Sequence, residues 1–288
     1  MPTLYDAHNH LHDAWFVPHR AQIFTDCAAL PLGATVVNGT CEADWGEVAA
    51  LARAQAVVRP SFGLHPWDAG NATPSWRDAL LRALDANPRA ALGEIGLDRW
   101  ILDSARPDDA RLAGLRRAPL EEQRDAFRWQ LALAAERNLP ASIHCLEAWG
   151  ALREDLRATR RPERGFLLHA YGGSADLARE FTGLGAYFSF NGYFLDPRHA
   201  AKRAVFAALP ADRILVETDA PAMPVPVAQR THVLPDLADG TVLNHPANIG
   251  AAYAGLAALR GITAEALAAQ VEENFLRFFG PAPHRKIP

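Results

Sequence analysis

Imidazole and carboxylate side chains in this 288-residue sequence fall in a pattern suited to holding metal. His8 and His10 are separated by a single residue, so on an extended strand both imidazoles face the same side and can share an ion. The other candidates are His65, Glu94, His144, His169 and Asp219, each closing a short apolar run. A buried imidazole or carboxylate costs stability unless it is paired or metal-bound, and a packed core would ordinarily use Val, Ile or Leu instead. One such residue reads as a satisfied core histidine. A set of them at successive strand ends reads as a site. Mixed nitrogen and oxygen ligands suit Zn²⁺, Mn²⁺, Fe²⁺, Co²⁺ or Ni²⁺, and the carboxylates would tolerate Mg²⁺. Two such ions roughly 3.5–4 Å apart would lower the pKa of a shared water and neutralise charge developing during hydrolysis.

Gathering these residues requires a scaffold that brings many strand ends to one face. Eight β-rich runs, at 4–8, 34–38, 57–64, 90–95, 141–145, 165–170, 186–190 and 213–219, alternate with Ala/Leu/Arg-rich helical stretches at 43–54, 75–86, 120–138, 148–159, 175–184 and 197–208. That alternation predicts repeated βα units, hence an α/β fold built as a single (β/α)₈ TIM barrel over 1–288, with its active site at the C-terminal strand ends. Two further helices, 246–259 and 264–279, follow the eighth strand and are expected on the outside. Two long loops, 99–119 and 221–245, break the rhythm and read as substrate walls.

Composition sets outer limits. With 49% hydrophobic and 22% charged residues the chain has material for a large core, and a net charge of −4 gives no global basic field for a polyanion. The opening MPTLYDAHNHLHD lacks a basic stretch followed by an apolar run, and no segment approaches a membrane span. A soluble, cytoplasmic protein with no membrane partner is expected. Cys27, Cys41 and Cys145 show no CxxC spacing and read as reduced thiols. Neither a dinucleotide-binding nor a P-loop glycine motif follows any strand.

The segments DAHNHLHD, GLHPW, ALGEIGLD, EEQRDAFRWQLALAAERNLPASIHC, LLHAYGGS, YFSFNG and ILVETDAP together resemble the TatD-like branch of the amidohydrolase superfamily. The resemblance implies that His8, His10 and Asp219 hold one metal, that His144 and His169 hold the other, and that Glu94 bridges them. Other binuclear members of the superfamily bridge with a carboxylated lysine; the only lysines here are Lys202, in a predicted helix, and Lys286, in the tail, which leaves Glu94 as the available bridge. Asp219 is the expected general base. His65 lies outside that ligand set and is expected beside the substrate, binding a phosphoryl or carbonyl oxygen or protonating the leaving group. Trp67, Arg99, Tyr171 and Asn191 are the further substrate-binding candidates.

The pattern departs from TatD-like nucleases in two places. Leu146 stands where an arginine commonly follows the strand-five histidine, and Leu243-Asn244-His245-Pro246 replaces an RNEP-like run. Guanidinium groups bind phosphate bidentately, so both changes bear on DNA as substrate. Arg99, Arg106, Arg111, Arg116 and Arg117 in the 99–119 loop, with Arg230 in the other, are the candidate replacements. The leading expectation is therefore a phosphodiesterase or exodeoxyribonuclease acting on nucleic acid. A hydrolase of a small-molecule ester, amide or lactone on the same centre is the alternative, and a catalytically silent metal-binding protein is the third reading.

Overall fold

Runs rich in Val, Ile, Leu and Phe form eight strands in the computed structural model, which describes residues 2–281: β1 (Leu4–Asn9), β2 (Leu32–Asn38), β3 (Val58–Phe62), β4 (Ala91–Asp98), β5 (Ala141–Leu146), β6 (Phe166–Leu168), β7 (Ala186–Asn191) and β8 (Ile214–Glu217). They pair in sequence order, all parallel, as the βα alternation requires. The helices are α1 (Arg20–Ala28), α2 (Trp45–Ala54), α3 (Trp76–Ala86), α4 (Trp100–Asp103), α5 (Leu120–Arg137), α6 (Trp149–Ala158), α7 (Ala175–Gly183), α8 (Ala200–Ala208), α9 (Ile249–Arg260) and α10 (Ala264–Phe279). Among the described residues no helix is long and apolar enough to cross a membrane. Lys286 lies outside the described residues.

Differences from the sequence expectation have local causes. Helix α1 has no clear sequence signature, because it buries only Ile23 and Cys27 and so carries a weak amphipathic signal. Strand β8 stops at Glu217, two residues short of the expected end, since Asp219 leaves extended geometry at φ 52°. Strand β4 instead runs on to Asp98, so that Glu94, Gly96 and Asp98 alternate along one strand. Gly96 is indispensable there. Its φ is +143°, and a Cβ would lie 2.0 Å from the backbone oxygen of His144 on β5. Gly96→Ala should force those strands apart at roughly 3 kcal/mol or more. The corresponding fall in melting temperature, about 3 °C per kcal/mol for a domain of this size, is measurable by calorimetry, and an unchanged midpoint would contradict this packing.

The barrel closes where the first strand meets the last. The amide of Asp219 donates to His8 O at 2.9 Å, and the amide of His10 donates to Ala220 O at 2.7 Å. Beneath them Thr218 donates to the Asp6 carboxylate twice, from its amide at 3.0 Å and its hydroxyl at 2.6 Å. Burial pushes the Asp6 carboxyl up to about 7 despite the Thr218 and His8 hydrogen bonds. Outside this seam the C-terminal helices act as a brace. Tyr253 of α9 both accepts from the Tyr5 amide and donates to the Tyr5 carbonyl, while Asn274 of α10 donates to Ile214 O at the start of β8.

Candidate metal centre

Glu94 is the hub of the strand ends. Its Oε2 lies 3.2 Å from Nε2 of His8 and 3.2 Å from Nε2 of His10, both on or just past β1. Its Oε1 lies 2.8 Å from His169 Nε2, 3.0 Å from His144 Nδ1 and 3.4 Å from His65 Nε2. One carboxylate oxygen thus faces the β1 pair and the other faces the exits of β3, β5 and β6. Asp219 adds an oxygen 3.5 Å from His10 Nε2 and 3.7 Å from His8 Nε2. Three groupings have ligand spacing: His8 with His10 and Asp219, His8 with Glu94 and His169, and His65 with Glu94 and His144. The third differs from the sequence expectation, which kept His65 out of the ligand set. The His65 amide bonds to Thr40 O at 2.8 Å, and this turn folds the imidazole back over the centre.

The outer nitrogens of these rings are also assigned. His8 Nδ1 meets Ser142 Oγ at 2.8 Å and His10 Nδ1 meets Asn38 O at 2.8 Å, so Nε2 of each points inward. His144 is reversed: its Nε2 meets Asp98 Oδ2 at 3.0 Å, which turns Nδ1 toward Glu94. His169 Nδ1 makes no hydrogen bond and faces Glu217 Oε1 at 3.8 Å. Such outer partners fix the tautomer and direct the free lone pair. Asp98 and Glu217 were absent from the sequence-derived site. Spacing offered the signal, since Asp98 lies four residues beyond Glu94 on one strand and Glu217 two before Asp219.

Charge tests whether the cluster suits cations. Burial raises the Glu94 carboxyl, yet His169, His65, His8 and the His10 hydrogen bond outweigh it and hold the group well below the usual carboxylate range. Burial disfavours the His144 imidazolium, but hydrogen bonds to Asp98 and Glu94 lift it to about 9. Hydrogen bonds to Asp219 and Glu94 likewise raise His10 well above normal against burial. Buried anions here demand positive charge, and inward-facing imidazole lone pairs can supply it by coordination instead of protonation. The donor set fits two divalent ions sharing Glu94.

The model of the TatD-related DNase family matches residues 5–280. The chain belongs to the TatD-related DNase family. Within it, the chain is 26% identical over 286 residues to the 3'-5' ssDNA/RNA exonuclease TatD of Citrobacter koseri, covering 97% of this chain and 100% of that one. It is 30% identical over 225 residues to the same-named protein of Klebsiella pneumoniae, covering 76% and 75% respectively. The crystal structure of YJJV, a TatD homologue from Escherichia coli K12, superposes with a TM-score of 0.80 at 27% identity over 96% of this chain and 97% of that one.

The remaining candidates are distributed around this TatD-type centre unequally. Trp67 donates its indole N–H to Asp98 Oδ2 at 2.6 Å and stacks on Trp100 at 6.0 Å. Arg99 is half exposed and paired with Asp103 at 2.6 Å. Tyr171, a substrate-binding candidate from the sequence, is 1% exposed, packs on Phe188 and Trp149, and donates its hydroxyl to Ser174 O. Asn191 is likewise consumed, since it is buried, its amide nitrogen donates to Thr218 O, and its oxygen accepts from the Tyr193 amide. Leu146 is exposed at the β5 end, whereas Leu243 is buried and its neighbour Asn244 ties down the β8 exit through Thr218 O.

Proposed function

We propose that this chain is a metal-dependent hydrolase of the TatD type that cleaves phosphodiester bonds in single-stranded nucleic acid. The carrying observation is Glu94, whose two oxygens divide five imidazoles between them within 3.4 Å. The names of the relatives, exonucleases acting on single-stranded DNA and RNA, supply the substrate class. Two divalent ions bound by His8, His10, Asp219, His144, His169 and Glu94 would supply Lewis acidity and acidify a water for attack. Asp219 takes the proton from the attacking water at its carboxylate. His65 accepts the Trp67 amide at Nδ1, so Nε2, 3.4 Å from Glu94 Oε1, carries the proton; despite its ligand spacing, His65 in this reading stays outside the ligand set and serves as donor to a phosphoryl or leaving-group oxygen. Three free thiols suit a reducing, cytoplasmic setting.

The decisive experiment offers the protein, loaded in turn with each candidate metal, bis(p-nitrophenyl) phosphate, end-labelled single-stranded DNA, and a panel of carboxyl esters and lactones. Release of mononucleotides from the labelled strand is the expected result. Exposed Leu146, which offers no guanidinium to phosphate, is what favours the ester and lactone arm. Much faster turnover of a lactone or ester than of any phosphodiester would replace the present reading with that one.

Asp98 has a positioning role in this scheme. Asp98→Asn would turn an amide N–H₂ toward His144 Nε2, favouring the tautomer whose proton blocks Nδ1. Metal affinity at the His144 side should fall about 10- to 100-fold, the usual cost of losing such a partner. Chelator competition would measure it, and wild-type affinity in the variant would remove Asp98 from the role.

A further inference from the structure

The arginines of the 99–119 loop are already engaged. Arg106 pairs with Asp108, Arg111 with Asp109 and Arg116 with Glu122, while Arg117 donates to the carbonyls of Ile101, Ala105 and Arg106. A different cation stands without an anion. Lys202, in the first turn of α8, places its Nζ 5.0 Å from the centre of the buried Phe194 ring. It lies 3.2 Å from where a Cβ on Gly172 would be, so it reaches between the β6 and β7 exits into the loop that begins at His169. The Cα atoms of His169 and Gly172 are at most about 11 Å apart. Among the described residues no carboxylate acts on this ammonium; burial and the Arg198 guanidinium both push it below its ordinary range.

One guanidinium stands beside it. Arg198 lies over the Tyr193 ring at 5.0 Å and donates to its hydroxyl, and its nearest carboxylate, Asp196, is 3.6 Å away. His199 packs against Tyr193 at 4.7 Å and accepts from Arg198 Nε at 3.1 Å, while burial and the Lys202 ammonium lower its pKa, so its ring is neutral. Arg203 is spent on the carbonyls of Phe194 and Asp196. Placing a guanidinium beside a half-buried ammonium costs stability. An anionic ligand would offset that cost, and the loops after strands seven and eight frequently form the phosphate site of (β/α)₈ barrels.

We propose that Lys202, flanked by Arg198, is an anion subsite that binds a substrate phosphate next to the one being cleaved. This rests on the phosphodiester reading above. The phosphate is either an internal diester of a strand or a terminal monoester. The subsite supplies the cation that Leu146 and Leu243 do not.

The test compares wild type, Lys202→Met, Lys202→Arg and the triple variant Arg106→Ala/Arg111→Ala/Arg116→Ala, all metal-loaded. In Lys202→Met the KM for a short single-stranded oligonucleotide should rise about tenfold with kcat within about twofold. Its kcat/KM relative to bis(p-nitrophenyl) phosphate should drop by the same factor, and Lys202→Arg should restore most of it. Anisotropy of a labelled phosphorothioate strand provides a readout independent of turnover. The log–log salt slope of its binding should shrink by about one for Lys202→Met. If removing the strand's terminal phosphate abolishes the difference between wild type and Lys202→Met, the subsite takes a monoester; if not, it takes an internal diester. Equal binding and equal salt slope in wild type and Lys202→Met, or loss confined to the triple variant, overturns the subsite. Absent phosphodiester turnover with a Lys202-dependent slope would instead sink the cleavage reading and leave the subsite standing.

Discussion

Glu94→Ala should empty both halves of the centre at once. The two oxygens of this carboxylate lie between the β1 histidines and those of β3, β5 and β6, so its loss leaves each group a ligand short. It also strips a buried set of imidazoles of its central negative charge, and unpairing a buried ion of this kind costs about 3–5 kcal/mol. Elemental analysis should find fewer than one equivalent of divalent metal per chain where the wild type holds two. Hydrolysis should drop by at least about a thousandfold, beyond the hundred- to thousandfold cost of one missing preorganised electrostatic contact. Retention of two tightly held ions by the variant would show that Glu94 does not bridge.

Asp219→Asn probes the chemistry with less disturbance of the scaffold. Asp219 sits at φ 52°, a left-handed conformation that Asn tolerates as well as Asp, so the substitution preserves the turn leaving β8. The amide keeps the size of the side chain and loses its basicity. kcat should fall at least about a hundredfold, within the range of a positioned general base, and the far-ultraviolet spectrum should match wild type. Near-normal turnover with any substrate would take Asp219 out of the proton-transfer step.

The period of a strand made much of this centre legible. His8 and His10 share a face because they are two residues apart, while Glu94 lies within an apolar strand and Asp219 just past one. Loop direction was not legible. Tyr171 reads as a rim residue, yet Ala170 turns at φ 41° and the tyrosine ring ends buried. His65 joins Glu94 and His144 only because the chain after β3 folds back onto Thr40, a contact with no local sequence signature. Charge partners escaped for the same reason. The arginine-rich loop shows its cations in sequence, but only three dimensions show that nearby carboxylates and carbonyls occupy them, while among the described residues no carboxylate pairs with Lys202.

The closing seam has a consequence for how the protein is made. Thr218 and Asp6, which fasten the first strand to the last, are 212 residues apart, so one half of the metal centre spans nearly the whole order of synthesis. At ribosomal speeds of about 5–20 residues per second, the β1 imidazoles emerge at least ten seconds or so before Asp219 can join them. An ion captured by a nascent chain would lack its seam carboxylate and exchange readily. A metal site completed only by this seam should therefore take up its lasting ion after α9 and α10 have latched the barrel, from the pool around the folded protein.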